Sequence, residues 1–213
     1  MRFAFYVSNK ATRLKKFLLK NKKNISLIKQ IKFVLIDNIN NKELKTICNS
    51  LGIKIYEINL DKIKNENEYV SEYFLDKLVL HKVDYAFIFC NRILRGKILS
   101  AYKNKIINFH PSLLPSYKGL NAIDQAVKDN AFLLGNTAHF INEKLDSGPI
   151  IMQNIVPFVK YKNYDDILDN QTTMLEQIIV WLKENRLIID NDRVIVKNAN
   201  YVVDEFIPNL EGE

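Results

Sequence analysis

Three polar side chains in the second half of the chain have the types and spacing that acyl transfer requires. Asn108 and His110 are two residues apart at the end of an apolar run, and Asp146 lies in a short loop that also contains Gly148 and Pro149. An amide can stabilise an oxyanion, an imidazole titrates near neutral pH, and a carboxylate can orient the imidazole. The set suits acyl transfer to an amine without a protein nucleophile. The residues alone also allow a strand-end cap, a satisfied histidine and a turn-forming aspartate.

The first half of the chain predicts the scaffold that would position these groups. Short apolar and β-branched runs alternate with segments of helical periodicity, which is typical of an α/β, Rossmann-like fold with a mostly parallel central sheet and helices on both faces. Strands are expected at residues 3–7, 32–36, 54–58, 85–89 and 106–109, and helices at 12–20, 42–51, 68–82 and 96–102. Ligands gather at the carboxyl ends of such strands, so residues 8–13, 89–92 and the segment after Phe109 are expected to face one crevice. In a strand, residues two apart point to the same side, so Asn108 and His110 should project together.

The second half predicts shorter elements separated by loops. A helix is expected at residues 121–128, strands at 137–142 and 150–157, a long helix at 164–185 and a hairpin at 187–196. Trp181 adjoins an apolar stripe at helical spacing, which indicates a core residue. We expect one catalytic domain over residues 1–213, with a Rossmann-like half at 1–105, a catalytic core at 106–160 and a C-terminal helix and hairpin at 161–213.

Composition narrows the class of protein. The 213 residues carry a net charge of +7, which could steer an anionic acceptor or could reflect a general abundance of lysine. Neither a membrane span nor a nucleic-acid recognition motif is evident, and the first residues do not resemble a signal peptide. Cys48 and Cys90 form no metal-ligand cluster and suit a reducing compartment. We therefore expect a cytoplasmic monomer or homodimer without metal, acting on a small molecule.

Three motifs give the sequence a family resemblance. They are the run Asn108-Phe-His-Pro-Ser-Leu-Leu-Pro-Ser-Tyr-Lys-Gly119, the segment Gly135-Asn-Thr-Ala-His-Phe140, and the segment from Leu145 to Gln153, which reads Leu-Asp-Ser-Gly-Pro-Ile-Ile-Met-Gln. The chain resembles the folate-dependent formyltransferases, which include glycinamide ribonucleotide transformylase, the catalytic domain of methionyl-tRNA formyltransferase and amino-sugar N-formyltransferases.

The resemblance implies a reaction and a set of site residues. N10-formyltetrahydrofolate would be the co-substrate, Asn108 and His110 would hold the developing oxyanion, and Asp146 would position His110 and help to remove the amine proton through water. His139 would have an auxiliary role or would simply pack. The implied folate-binding residues are Phe89, Arg92, Ile93, Leu94, Asn142 and Leu145. The implied substrate-binding residues are Ser8, Asn9, Lys10, Thr12, Arg13, Pro111, Ser112 and Gly119.

One departure from the family pattern bears on the acceptor. Glycinamide ribonucleotide transformylases carry a Gly-x-Gly-Ser-Asn turn after the first strand that receives the substrate phosphate at a helix N-terminus. Here that turn reads Ser8-Asn-Lys-Ala-Thr-Arg13, without glycine. The favoured acceptor is therefore the primary amine of an amino sugar or sugar nucleotide. The alternatives are glycinamide ribonucleotide in purine synthesis, another amine, hydrolysis of formyl-folate, or a non-catalytic module that binds folate or a sugar nucleotide.

Overall fold

The computed structural model describes residues 1–202 and 204–211. The chain divides into two compact units, Met1–Ile107 and Asn108–Glu213, which we call the first and second units. The expectation of one catalytic domain over residues 1–213 stays a prediction. None of the helices in the described residues combines the length and apolarity that a membrane span needs.

The first unit is built on four parallel strands in the spatial order β4-β1-β2-β3. The strands are β1 (Phe3–Val7), β2 (Ile31–Ile36), β3 (Lys54–Glu57) and β4 (Tyr85–Phe89). The helices are α1 (Thr12–Lys20), α2 (Ile25–Gln30), α3 (Lys42–Ser50), α4 (Glu66–Leu80) and α5 (Lys97–Ala101). Every residue of β1 is buried, as expected for a parallel strand covered on both faces.

Apolar faces hold the helices of the first unit in place. Helix α1 buries Leu14, Phe17 and Leu18, and the Phe17 ring lies 5.8 Å from that of Phe5. Because β2 and β4 flank β1, the direction of winding reverses between β1 and β4. That reversal is a topological switch point, and the segments after β1 and β4 border it.

The second unit has mostly antiparallel pairing. Its strands have the spatial order β10-β7-β6-β5, where β5 (Ile106–His110) contains the boundary between the units. The other strands of this group are β6 (Leu133–Phe140), β7 (Ile150–Pro157) and β10 (Phe206–Ile207). The remaining elements are α6 (Ala122–Lys128), α7 (Asp165–Leu168), α8 (Asn170–Lys183) and the hairpin of β8 (Leu187–Asp190) and β9 (Arg193–Val196). Trp181 is fully buried, which confirms its prediction as a core residue.

Several predicted boundaries were wrong. The long helix expected at 164–185 is two helices, because Asn136 Nδ2 donates to the Ile167 carbonyl at 2.7 Å at the junction between them. Strand β6 begins at Leu133, four residues before the predicted start, and pairs along its length with β7. Helix α2 was not predicted, although Asn24 caps it by accepting from the Leu27 amide at 3.1 Å. Strand β10 was also not predicted.

Candidate active site

In the second unit, the three predicted catalytic residues, Asn108, His110 and Asp146, lie in one cluster of side chains. Asp146 Oδ2 lies 3.5 Å from His110 Nδ1, and its Oδ1 lies 3.7 Å from Nε2 of a second histidine, His139. The amide of Asn108, half-buried in the middle of β5, has its Nδ2 3.2 Å from the same Nε2 of His139. The side chains of Asp146 and both histidines are nearly buried. Asn108, His110 and Asp146 are therefore neighbours, with His139 between the amide and the carboxylate.

The loop that carries Asp146 is held by close backbone contacts. The Gly119 amide donates to Asp146 Oδ2 at 2.8 Å. Two residues later, Gly148 packs so closely that a Cβ there would lie 1.8 Å from the Phe140 carbonyl oxygen. Any other residue would push the loop away from β6, so this glycine permits Asp146 to reach the histidines.

The segment after His110 is tied down by its own hydrogen bonds. His110 Nε2 lies 2.8 Å from the Tyr117 carbonyl oxygen, and Ser112 Oγ donates to the Ser116 carbonyl at 2.6 Å. From β6, Thr137 Oγ1 donates to the Ser112 carbonyl at 2.7 Å and accepts from the Leu114 amide at 3.0 Å. These contacts fix the His110 ring relative to β6.

The hydrogen bond to Tyr117 decides which nitrogen of His110 carries the proton. A carbonyl oxygen can only accept, so Nε2 of His110 is the protonated nitrogen in the neutral ring. Its Nδ1 then faces Asp146 with a lone pair. A proton taken up at Nδ1 would lie directly against the carboxylate. The arrangement can therefore accept a proton and stabilise the resulting imidazolium.

Burial and neighbouring groups shift both ionisable groups. Burial lowers the pKa of His110 below its ordinary 6.5, against the opposing effects of the Tyr117 carbonyl and Asp146. Burial also raises the pKa of Asp146, but a proton on the facing nitrogen of His139, the Gly119 amide and the charge of a protonated His110 outweigh it, so the pKa lies below the ordinary 3.8. At neutral pH the site therefore combines a neutral His110 with an ionised Asp146.

Comparison with known proteins shows to which family the chain belongs. The model of the formyl transferase family matches residues 1–182. The chain belongs to the formyl transferase family. This confirms the resemblance found in the sequence motifs.

Relatives of the chain include two kinds of enzyme. Formyltetrahydrofolate deformylase of Haemophilus influenzae is 29% identical over 74% of this chain and 58% of its own length. Phosphoribosylglycinamide formyltransferase of Bacillus subtilis is 36% identical over 44% of this chain and 48% of its own length. The chain thus spans about half of the length of these curated relatives.

A solved structure gives the fold. Glycinamide ribonucleotide transformylase 1 from Symbiobacterium toebii superposes with a TM-score of 0.81 at 26% identity, over 93% of this chain and 94% of that one. The predicted α/β, Rossmann-like formyltransferase fold, a mostly parallel sheet with helices on both sides, is confirmed.

In the first unit, two predicted ligand-binding side chains, Ser8 and Arg92, donate hydrogen bonds to the same carboxylate, that of Asp37. Arg92 Nε donates to Asp37 Oδ2 at 3.2 Å, and its Nη1 pairs with Glu66. Ser8 Oγ and Tyr6 Oη donate to the same Asp37 oxygen, each at 2.9 Å. The sequence prediction missed Asp37. Its signal was an acidic residue directly after β2, at the same sheet edge as the segments after β1 and β4.

The other predicted folate-binding residues divide between the units. In the first unit, Phe89 and Leu94 are buried, and the Ile93 amide donates to Asn67 Oδ1 at 3.4 Å. A cleft of about 1000 Å³ lies beside this segment and the first turns of α4. In the second unit, Asn142 and Leu145 are exposed on the loop before Asp146.

The predicted substrate-binding residues are placed as follows. In the first unit, Lys10 is exposed, Thr12 and Arg13 are half-buried in the first turn of α1, and the Asn9 carbonyl accepts from the side-chain amides of Asn38 and Asn41. In the second unit, Pro111 is half-buried, Ser112 is buried in its loop, and Gly119 holds Asp146. Among the residues that the structure describes, no group of three or more His, Cys, Asp or Glu is placed to hold a metal ion.

Proposed function

We propose that the chain transfers the formyl group of N10-formyltetrahydrofolate to the primary amine of a small metabolite. The observation that supports this most strongly is the cluster in which His110 and His139 flank Asp146 and Asn108 contacts His139. An amide donor, a neutral imidazole and an ionised carboxylate are the groups that acyl transfer to an amine needs. Membership of the formyl transferase family supports the formyl group as the acyl group.

The donor set fits a formyl-folate chemically. When bound, the folate supplies the formyl carbon, and its N10 nitrogen leaves with a proton. Asn108 would direct an N–H group at the formyl oxygen, where negative charge develops as the amine nitrogen bonds to the carbon. His110, whose Nε2 proton is held by the Tyr117 carbonyl, would act through Nδ1 beside Asp146. The proton lost by the amine would pass to Asp146 and His110, directly or through water, and from there to N10. No step needs a nucleophile from the protein.

The acceptor proposal rests on the turn after β1. We favour an amino sugar, free or nucleotide-linked, because the turn has no glycine that would let its backbone approach a phosphate closely. The Ser8 hydroxyl, which could otherwise bind a phosphate, donates to Asp37. Glycinamide ribonucleotide remains the alternative acceptor, supported by relatives that carry that activity in their names.

A second candidate function is hydrolysis of the formyl-folate. The Haemophilus influenzae relative, named formyltetrahydrofolate deformylase, matches in sequence over 74% of this chain, against 44% for the Bacillus subtilis glycinamide enzyme. The Symbiobacterium toebii glycinamide enzyme superposes over 93% of this chain, so coverage does not favour the deformylase in every comparison. In that reaction water takes the place of the amine, and formate is the second product. A third candidate, a non-catalytic module that binds folate or a sugar nucleotide, is disfavoured by the complete catalytic set.

An acceptor panel tests these proposals. Purified protein is mixed with N10-formyltetrahydrofolate and with amino sugars, nucleotide-linked amino sugars, glycinamide ribonucleotide or no amine, and tetrahydrofolate release is followed by absorbance. We expect release that requires an amino sugar, together with a mass gain of one formyl group on that sugar. Release at the same rate without amine would favour the deformylase. Folate binding with no turnover on any acceptor would favour the binding module.

A further inference from the structure

The Asn108 amide lies against a ring nitrogen of His139. His139 Nδ1 lies 2.9 Å from the Phe140 carbonyl oxygen, which can only accept a hydrogen bond. Nδ1 therefore carries the ring proton, and the neutral ring presents a lone pair at Nε2. Because Asn108 approaches that nitrogen at 3.2 Å, it must present its NH₂ group, and its carbonyl oxygen is turned away.

This orientation leaves Asn108 one unused N–H. The NH₂ group carries two hydrogens, and His139 takes one of them. Within residues 1–202 and 204–211, no second acceptor receives a hydrogen bond from Asn108. Asn108 is half-buried, so a ligand can reach part of the residue, and this N–H is the donor that Asn108 could offer to it. With the amide reversed, the Asn108 oxygen would sit where the NH₂ group now is and would repel negative charge.

We propose that His139 is a positioning residue that fixes the Asn108 amide as a donor toward the formyl oxygen. The proposal rests on the proposed function for the identity of the reacting oxygen, but the tautomer and the amide orientation do not depend on it. His139 acts through Asn108 and through its backbone contact with Phe140. Its Nε2 is 3.7 Å from Asp146 Oδ1 and 3.2 Å from Asn108 Nδ2, so in the neutral ring the Asn108 amide is the nearer hydrogen-bond partner.

Two near-isosteric substitutions separate the role of each ring nitrogen. In His139→Gln the amide oxygen can occupy the position of Nε2 and accept from Asn108. In His139→Asn the side-chain amide reaches only the position of Nδ1, so the contact with Phe140 survives and the acceptor for Asn108 is lost.

For His139→Asn we expect kcat, measured as folate release, to fall about 10²-fold, close to the loss of one oxyanion donor, with little change in KM for formyl-folate. For His139→Gln we expect kcat within about tenfold of the wild-type value. Equal losses of kcat in the two variants, or a change in KM alone, would overturn the proposal.

A double-mutant cycle tests whether His139 acts through Asn108. In the Asn108→Ala background, His139→Asn should cost no more than about a further twofold in kcat, because the amide that it positions is gone. A further loss as large as in the wild-type background would mean that His139 acts independently, and the proposal would fail. Thermal unfolding of each variant identifies any that is not folded.

A measurement that needs no turnover tests the geometry. In protein labelled with ¹⁵N, the shifts of His139 should show a protonated Nδ1 and an unprotonated Nε2, with scalar coupling from Nε2 to Asn108 Nδ2 across the hydrogen bond. A proton on Nε2 at neutral pH would overturn the proposal, because Asn108 would then have to present its oxygen. If the amine panel fails but the ¹⁵N pattern is found, the proposed function fails and the positioning role stands.

Discussion

Asp37 and Asp146 are two nearly buried carboxylates, one in each unit, with side chains only 6% and 7% exposed. Asp37 Oδ2 accepts hydrogen bonds from Tyr6, Ser8 and Arg92. Asp146 accepts one, from the Gly119 amide, and the two histidine nitrogens beside it carry lone pairs. The two carboxylates are therefore alike in residue type and burial, but Asp37 accepts more hydrogen bonds than Asp146 does. A carboxylate saturated with donors stabilises the fold, whereas one that faces proton acceptors can take part in proton transfer.

The largest expected effect separates these two carboxylates by activity. Asp146→Asn should reduce kcat by about 10³–10⁴-fold, because it removes the charge that would stabilise a protonated His110 and the acceptor for the amine proton. The comparison variant, Asp37→Asn, loosens Ser8 and Arg92, which are predicted binding residues, so it should act mainly on KM and change kcat by less than about threefold at saturating substrates. Steady-state folate release at equal concentrations of folded protein measures both. Loss of activity in both variants would remove the distinction.

A somewhat smaller loss of kcat is expected when Asn108 or His110 is replaced. Asn108→Ala should lower kcat by about 10²–10³-fold, which corresponds to about 3–4 kcal/mol of lost stabilisation of the developing charge. His110→Ala should lower kcat over the same range, because it removes the group that takes up a proton beside Asp146. The KM for formyl-folate should change little, because the lost interaction strengthens only as charge develops. A rise in KM with unchanged kcat would place these residues in binding instead.

The stability of the two carboxylate variants should show the reverse order. Asp37→Asn should lower the free energy of unfolding by about 1–3 kcal/mol, since three donors lose a charged acceptor. This loss is smaller than for a fully buried ion pair, because the Arg92 side chain is 30% exposed and keeps its ion pair with Glu66. Asp146→Asn should cost less than about 1 kcal/mol. Urea unfolding followed by circular dichroism gives both values, and a larger loss for Asp146→Asn would contradict the comparison.

The smallest expected effects are in the dependence on pH. Because the pKa of His110 lies below 6.5, more than half of the rings are still neutral at pH 6.5, and the midpoint of the acidic limb of kcat/KM attributed to it should lie below that pH. The unfolded chain takes up this proton first, so the contribution of His110 to stability declines as pH falls below 6.5. Asp146, with its lowered pKa, contributes stability above pH 3.8 that is lost as pH falls through its folded pKa. An acidic limb above pH 6.5 would contradict the His110 assignment.

Local sequence predicted much of the second-unit site. Strand alternation placed Asn108 and His110 on one side, and the Gly148 loop placed a carboxylate that could return to them. The protonation of the two histidines was not predictable, because it depends on the carbonyls of Tyr117 and Phe140, whose positions follow from the folded loop and strand.

Long-range contacts account for what the sequence did not reveal. Asp37 meets Arg92, 55 residues away, only because β2 and β4 lie on either side of β1. The break between α7 and α8 depends on Asn136, 31 residues before Ile167. Helical periodicity carries no information about such a contact, so it predicted one helix.

The fate of the formyl group tests the central claim most directly. Formyl-folate labelled with ¹³C in the formyl group is incubated with an accepted amine and with wild-type protein or Asp146→Asn, and ¹³C NMR follows the label. The account predicts that the wild-type protein moves the label onto the amine as a formamide, while in Asp146→Asn the label stays on the folate over the same time. Label released as formate in the presence of saturating amine, or transfer by Asp146→Asn at more than half of the wild-type rate, would contradict it.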